Sequence, residues 1–183
     1  MVRLIWVLAL LAGPAAAGCF GPPMPKKLHY DSGRTVEILG HTGQDLTVRL
    51  ILPNGSPDVS TVRAGLFTLN DSNNGTTFAY EWQSDLPDVR DLRPGQDLHF
   101  AADMVVEHAH RDFFKMEIKV LRTDHLTVAG CDYPVIVVER TDTRGGKVAA
   151  TLVLWISTSL RMPLRNETTQ AGVTQVFNVV TME

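Results

Sequence analysis

Several things are missing from this 183-residue chain, and each absence removes a class of function. There is no basic excess: Lys and Arg number 17 against 20 Asp and Glu, and dropping Arg3 with the leader described below leaves 16 against 20. Electrostatic attraction to nucleic acid is therefore not expected. No apolar run approaches the roughly 20 residues that span a bilayer. No Gly-x-Ser-x-Gly elbow surrounds any serine, so no catalytic triad is marked. No Gly-rich phosphate loop precedes a helix, since Gly145-Gly146 falls in an expected hairpin, and no nucleotide cofactor is indicated. Internal repeats, low-complexity tracts and linkers are also lacking. The expected cofactor set is none.

What is present begins with a leader. Arg3 supplies a positive start, residues 4–11 (LIWVLALL) an apolar core, and Ala15-Ala16-Ala17 the small residues of a cleavage site. Residues 1–17 read as a signal peptide, residues 18–27 as a proline-rich arm, and residues 28–183 as one β-rich domain. The expected location is periplasmic in a bacterium. Only two cysteines follow, Cys19 and Cys131. Gly18-Cys19 resembles a bacterial lipobox, although Ala16 stands where Leu, Val or Ile is usual. In the alternative, the two thiols pair in an oxidising compartment. Pairing is preferred because acylation would leave Cys131 alone; contact with a membrane is expected only if Cys19 is acylated.

After the arm, apolar residues recur mainly at the two-residue period of strands. Leu46, Val48, Leu50 and Leu52 form the clearest run, followed by the hairpin punctuation Pro53-Asn54-Gly55-Ser56-Pro57. Further strands are predicted at 35–40, 59–69, 76–83, 96–107, 113–121, 135–140, 147–157 and 173–181. The one hint of helical periodicity lies at 85–92. Two late segments, 134–139 and 149–156, are apolar on both faces, whereas a one-sided antiparallel sheet alternates. Something must cover the second face, and with so little helix the sheet itself is the candidate. The fold class is mainly β: a strongly curved antiparallel sheet, a half-open barrel, with few or no helices after the signal peptide.

Four short stretches carry a resemblance. Thr127 to Asp132, Val135 to Glu139, Leu154-Trp155-Ile156-Ser157 and Met162 to Glu167 follow a strand-turn-strand order. They resemble, over the C-terminal third, an uncharacterised bacterial envelope family of unknown function related in fold to periplasmic lipoprotein carriers. The chain departs from that pattern at Cys131. The resemblance implies a curved half-barrel with a concave apolar face and no chemistry.

Candidate sites follow from these readings. Val135, Val137, Leu152, Leu154, Trp155 and Ile156 are the expected apolar ligand face. His108 and His110 lie on one side of a strand and form a weak metal candidate, with Asp112 or His99 to complete the shell. Cys131 with His125 is a weaker nucleophile candidate than a disulfide partner. Four Asn-x-Ser/Thr sequons, at Asn54, Asn70, Asn74 and Asn166, are expected in or near turns. The aromatic residues are spread over the strands and read as core. Together these describe an exported, non-catalytic envelope protein that binds an apolar small molecule or lipid in a curved sheet. A protein-docking envelope component and a metal-dependent enzyme using His108 and His110 are the alternatives.

Overall fold

A computed structural model describes Cys19 and residues 24–73, 75–107 and 109–183, with the backbone alone for His110. The expected signal peptide and most of the expected arm lie outside the described residues. Twelve strands follow in order: β1 (Lys27–Tyr30), β2 (Thr35–Thr42), β3 (Asp45–Ile51), β4 (Pro57–Arg63), β5 (Phe67–Asn73), β6 (Thr76–Trp82), β7 (Asp97–Val106), β8 (His110–Val128), β9 (Cys131–Arg144), β10 (Lys147–Ser157), β11 (Met162–Gln170) and β12 (Val173–Met182). Every pairing is antiparallel between sequence neighbours, and β1 also pairs with β12, Leu28 opposite Met182. The class is mainly β, as the alternation implies.

The expected half-open sheet is corrected to a closed barrel. Pairing β1 with β12 removes both edges, whose unpaired N–H and C=O groups would otherwise be templates for aggregation. Closure rests on a four-residue strand next to prolines, too short to leave a pattern in the sequence. The expected strand at 59–69 is two strands. Ala64 (φ 52°) and Gly65 (φ 70°) take left-handed conformations and turn β4 into β5, without the Asn, Asp or Pro that usually signals such a turn. The single helical feature among the described residues is a 3-10 turn, Val89–Asp91, inside the segment with helical hints.

The two doubly apolar segments explain how a twelve-stranded ring is filled. Ile136, Val138, Leu154 and Ile156 pack into a first core with Phe67, Met104, Met116 and Ile118. Val135, Val137 and Trp155 pack into a second with Leu28, Leu46, Met162, Leu164 and Val179. Side chains alternate along a strand, so these two sets occupy opposite faces of the same stretch of β9 and β10. Bulges make the change of face possible. On β8 the register slips between Val120, opposite Val138, and Arg122, opposite Val137; on β11 it slips near Leu164. Beyond the first slip, Tyr133 and Val135 are buried while Asp132 and Pro134 are exposed. The cover for the second face is the sheet itself.

One end of the barrel is closed by the 83–96 segment. Val89 and Leu92 are buried in the first core, and Asp88, whose side chain is 2% exposed, accepts from Arg90 and from Arg161 Nη2 at 3.0 Å. Arg161 also donates from Nη1 to the Gly43 carbonyl at 3.0 Å, tying the β10–β11 turn to the β2–β3 turn. Burial pushes the Asp88 carboxyl up, but the hydrogen bonds and charges of Arg90 and Arg161 outweigh it and hold it below the usual range. Across the same end, Gly65 lies against the Arg161 backbone so closely that any Cβ would overlap its carbonyl.

Two outcomes are expected. Gly65→Ala combines a left-handed backbone with a backbone clash and lowers stability by about 2–4 kcal/mol, measured by denaturant unfolding. Asp88 has a lowered folded pKa, so its contribution is present above the unfolded value near 3.9 and is lost as pH falls through the folded one. Unfolding followed from pH 7 to 2 therefore shows an acid-dependent loss that Asp88→Asn diminishes, while that variant is itself about 2 kcal/mol less stable at pH 7.

Candidate functional site

The six residues expected to form one apolar face are placed on two. Val135, Val137 and Trp155 belong to the second core and Leu152, Leu154 and Ile156 to the first; all but Leu152 are buried. None of them lines the cavity described below. Trp155 is further covered by the Arg165 guanidinium, 4.7 Å from the ring centre.

Cys19 and Cys131 are joined in a disulfide, with Cα atoms 5.3 Å apart, a usual separation for such a bond. In this state neither thiol is available for acylation or nucleophilic attack. His125, the expected partner of a Cys131 nucleophile, instead pairs with Asp132, Nδ1 to Oδ2 at 2.7 Å, on the exposed surface.

His108 lies outside the described residues, and so does the side chain of His110. Among the described residues no group of three or more His, Cys, Asp or Glu side chains is placed to share an ion. The inclusion of His99 in that shell is corrected by register. Val106 is opposite His110, and His99 lies seven residues further along β7, about 23 Å away at 3.3 Å per residue. Asp112 is engaged by Arg144 Nε at 2.9 Å.

The sequons also separate. Asn54 is exposed in the β3–β4 turn, where its Oδ1 accepts from the Ser56 amide at 3.0 Å. Asn70 and Asn166 are within strands rather than turns, and Asn74 lies outside the described residues.

Asn166 leads to the site. It stands opposite Leu154 on one side and Phe177 on the other, on the face that looks across to β2, β3 and β4. Between these strands is a partly open cavity of about 240 Å³, walled by Val36, Val48, Leu50, Val62, Met162 and Phe177. The wall is apolar because alternation on β2 and β3 sends Val36, Val48 and Leu50 to one face, in register with one another. The Asn166 Oδ1 is buried there and has no hydrogen-bond partner among the described residues. Buried carbonyl oxygens are rarely left so, and an unmet acceptor in an apolar cavity is a mark of a binding site.

Three further polar groups border the cavity. Burial pushes the Tyr30 phenol far above its ordinary value, against a smaller opposite effect of Arg34, so it stays protonated and donates to the Pro163 carbonyl at 3.0 Å. Ser60 donates to Asp71 Oδ1 at 2.6 Å. The Arg34 guanidinium carbon lies over the Phe177 ring, 3.9 Å from its centre. Arg34 and Phe177 also wall a more open depression that Ser32, Asn54 and Gln175 share with Leu52, Pro53 and Val176, and the buried Ser32 Oγ lacks a partner among the described residues as well.

Sequence reasoning had noted Asn166 only as a sequon and had not singled out Tyr30 or Arg34. They come from different strands and turns, so no local spacing marks them; the polar Asn166 beside the apolar positions of β11 is the one signal that could have been followed.

No protein-family profile matches the chain, and no curated protein does. Among solved structures, the hypothetical lipoprotein YmcC of Escherichia coli K12 aligns with a TM-score of 0.49 at 15% identity, over 85% of this chain and 82% of its own. A Bacteroides fragilis protein with a YmcC-like fold, inferred to be exported, aligns with a TM-score of 0.41 at 10% identity, over 86% of this chain and 93% of its own. At these levels neither likeness bears on what the cavity does.

The unmet Asn166 acceptor makes a prediction about stability. Asn166→Leu removes a buried unsatisfied group at similar volume and raises the unfolding free energy by about 1 kcal/mol. A thermal midpoint unchanged or lower would show that the oxygen has a partner in solution.

Proposed function

We propose that this chain is an exported, non-catalytic envelope protein whose barrel takes an apolar ligand in the cavity between β2–β4 and β11–β12. The observation that carries the reading is the cavity itself: an apolar wall around a buried acceptor that has no donor among the described residues. The Cys19–Cys131 bond supports export, since such a bond persists in oxidising compartments. Among the described residues no helix is long and apolar enough to cross a membrane.

Size sets the ligand. At about 240 Å³ the cavity falls just under the roughly 300–1,000 Å³ of sites for drug-sized molecules, so it takes one short chain or a small ring system and not a whole two-chain lipid. The six residues first expected to bind are core in this reading. Two of them adjoin the cavity strand β11 in register, Leu154 beside Asn166 and Trp155 beside Arg165.

The test uses N-phenyl-1-naphthylamine, an uncharged probe that fluoresces in apolar surroundings. Saturable binding at one site per chain is expected, with affinity at least tenfold lower in Val48→Trp or Val62→Phe, whichever stays folded by circular dichroism. Arg49→Gln, on the other face of β3, leaves it unchanged. Absence of binding by the folded wild-type protein would overturn the reading.

A further inference from the structure

We propose that the ligand is a single-chain amphiphile with an anionic head, its tail among Val36, Val48, Leu50 and Val62 and its head at Arg34. This rests on the cavity reading above and adds the chemistry of the head group.

Charge carries the argument. Among the described residues, Arg34 is the one charged side chain on the wall of the apolar cavity and the one charged side chain on the wall of the depression that adjoins it. It sits where the two meet, 3.9 Å from the centre of the Phe177 ring, and no carboxylate among the described residues pairs with it. The two acids nearest in sequence are engaged elsewhere: Asn178 donates to both oxygens of Asp31, from the backbone amide at 3.1 Å and from Nδ2 at 2.7 Å, and Glu37 pairs with Lys27 and Arg49. A guanidinium carries its N–H donors in a planar fork that can bind a carboxylate or phosphate in two places at once.

The orientation follows from the opposite wall. Ser60 donates to Asp71, and burial first, with the Asp71 charge second, opposes ionisation of Asp58 on the same strand as Ser60. An anion is repelled from that side and drawn to Arg34. The head group then reaches the depression, where Ser32, Asn54 and Gln175 offer neutral donors and acceptors. The acyl segment enters the space that is too narrow for two chains.

Decanoate and 1-decanol have the same chain length and differ in the head group, so competition of each against N-phenyl-1-naphthylamine at pH 7.5 separates the claims. Decanoate is expected to bind at least tenfold more tightly than decanol. Arg34→Gln should erase the difference by weakening decanoate alone, and Arg34→Lys should restore part of it. Decyl phosphate in place of decanoate tells a carboxylate preference from a general anion preference, and either supports the proposal. Equal binding of acid and alcohol by the wild type, or a preference that survives in Arg34→Gln, would overturn the anionic head and leave the cavity reading standing. If neither compound competes and the probe itself does not bind, the cavity reading falls and the head-group proposal falls with it.

Discussion

The structure depends on one short stretch of sheet, residues 135–138 of β9 and 154–157 of β10, having both faces buried. A barrel of about eight strands is just filled by its own side chains, and one of 16–18 holds a channel. Twelve strands in a round ring would enclose more space than their side chains fill. Here the ring is not round: Val138 and Leu154 serve one core and Val137 and Trp155 the other, so the central strands partition the interior. The bulges near Leu121 and Leu164 are what let a continuous sheet exchange its inner and outer face within one strand length. Without them, either the hairpin tip of β8 and β9 or the body of β9 and β10 would present an apolar face to water.

That partition also explains why the two ends of the chain matter. The second core takes Leu28 from β1 and Val179 from β12, so the strands that close the ring are the ones that cover Val135 and Val137. The Cys19–Cys131 bond spans 112 residues and joins the chain ahead of β1 to the start of β9. In the chain-entropy account, a loop of that length contributes on the order of 4–5 kcal/mol. A four-residue strand is a weak closure alone. Tethered at Cys131, β1 is held near the core it covers.

Much of the barrel was legible because its strands obey the alternation that local sequence records. β3, β6, β7 and β10 lie within a residue or two of their expected bounds, and the double apolarity of β9 and β10 correctly demanded a cover. The failures have physical causes. β11 carries Arg165, Asn166, Glu167, Thr168 and Thr169, too polar to read as a strand, because one face meets the cavity and the other the guanidinium–Trp155 stack. The β4–β5 turn is made by Ala64 and Gly65 within an apolar run, where their backbone conformation answers to the Arg161 backbone pressed against Gly65. Closure is a contact between the first and last strands, and no local pattern encodes it. The six residues expected as a ligand face are singled out by apolarity, which here marks positions in two cores on opposite faces of β9 and β10; the cavity proposed as the site is marked instead by one polar residue, Asn166.

The cavity's position follows from the same polarity. Along β4 and β5, Ser60 is opposite Asp71 and Asp58 is opposite Asn73, and these positions share the face that on β3 carries Val48 and Leu50. Burial and Asp71 together raise the Asp58 carboxyl above its ordinary range, which shows a face that water does not fully reach and apolar side chains do not fill. In the other half, Phe67, Trp82, Phe100 and Phe114 meet edge to face with centroids 4.9 to 6.4 Å apart, and the charged Arg140 and Asp142 on the same face satisfy each other at 2.7 Å. A dry core needs apolar groups from every wall. Where β4 and β5 supply carboxylates and hydroxyls instead, the apolar positions of β2 and β3 are left facing a space, and Asn166 and Arg34 stand at its sides with hydrogen-bonding capacity unused. In the aromatic half the inward charges are paired with each other and rings fill the space around them, whereas beside β2 and β3 the polar groups of β4 leave apolar positions facing a cavity.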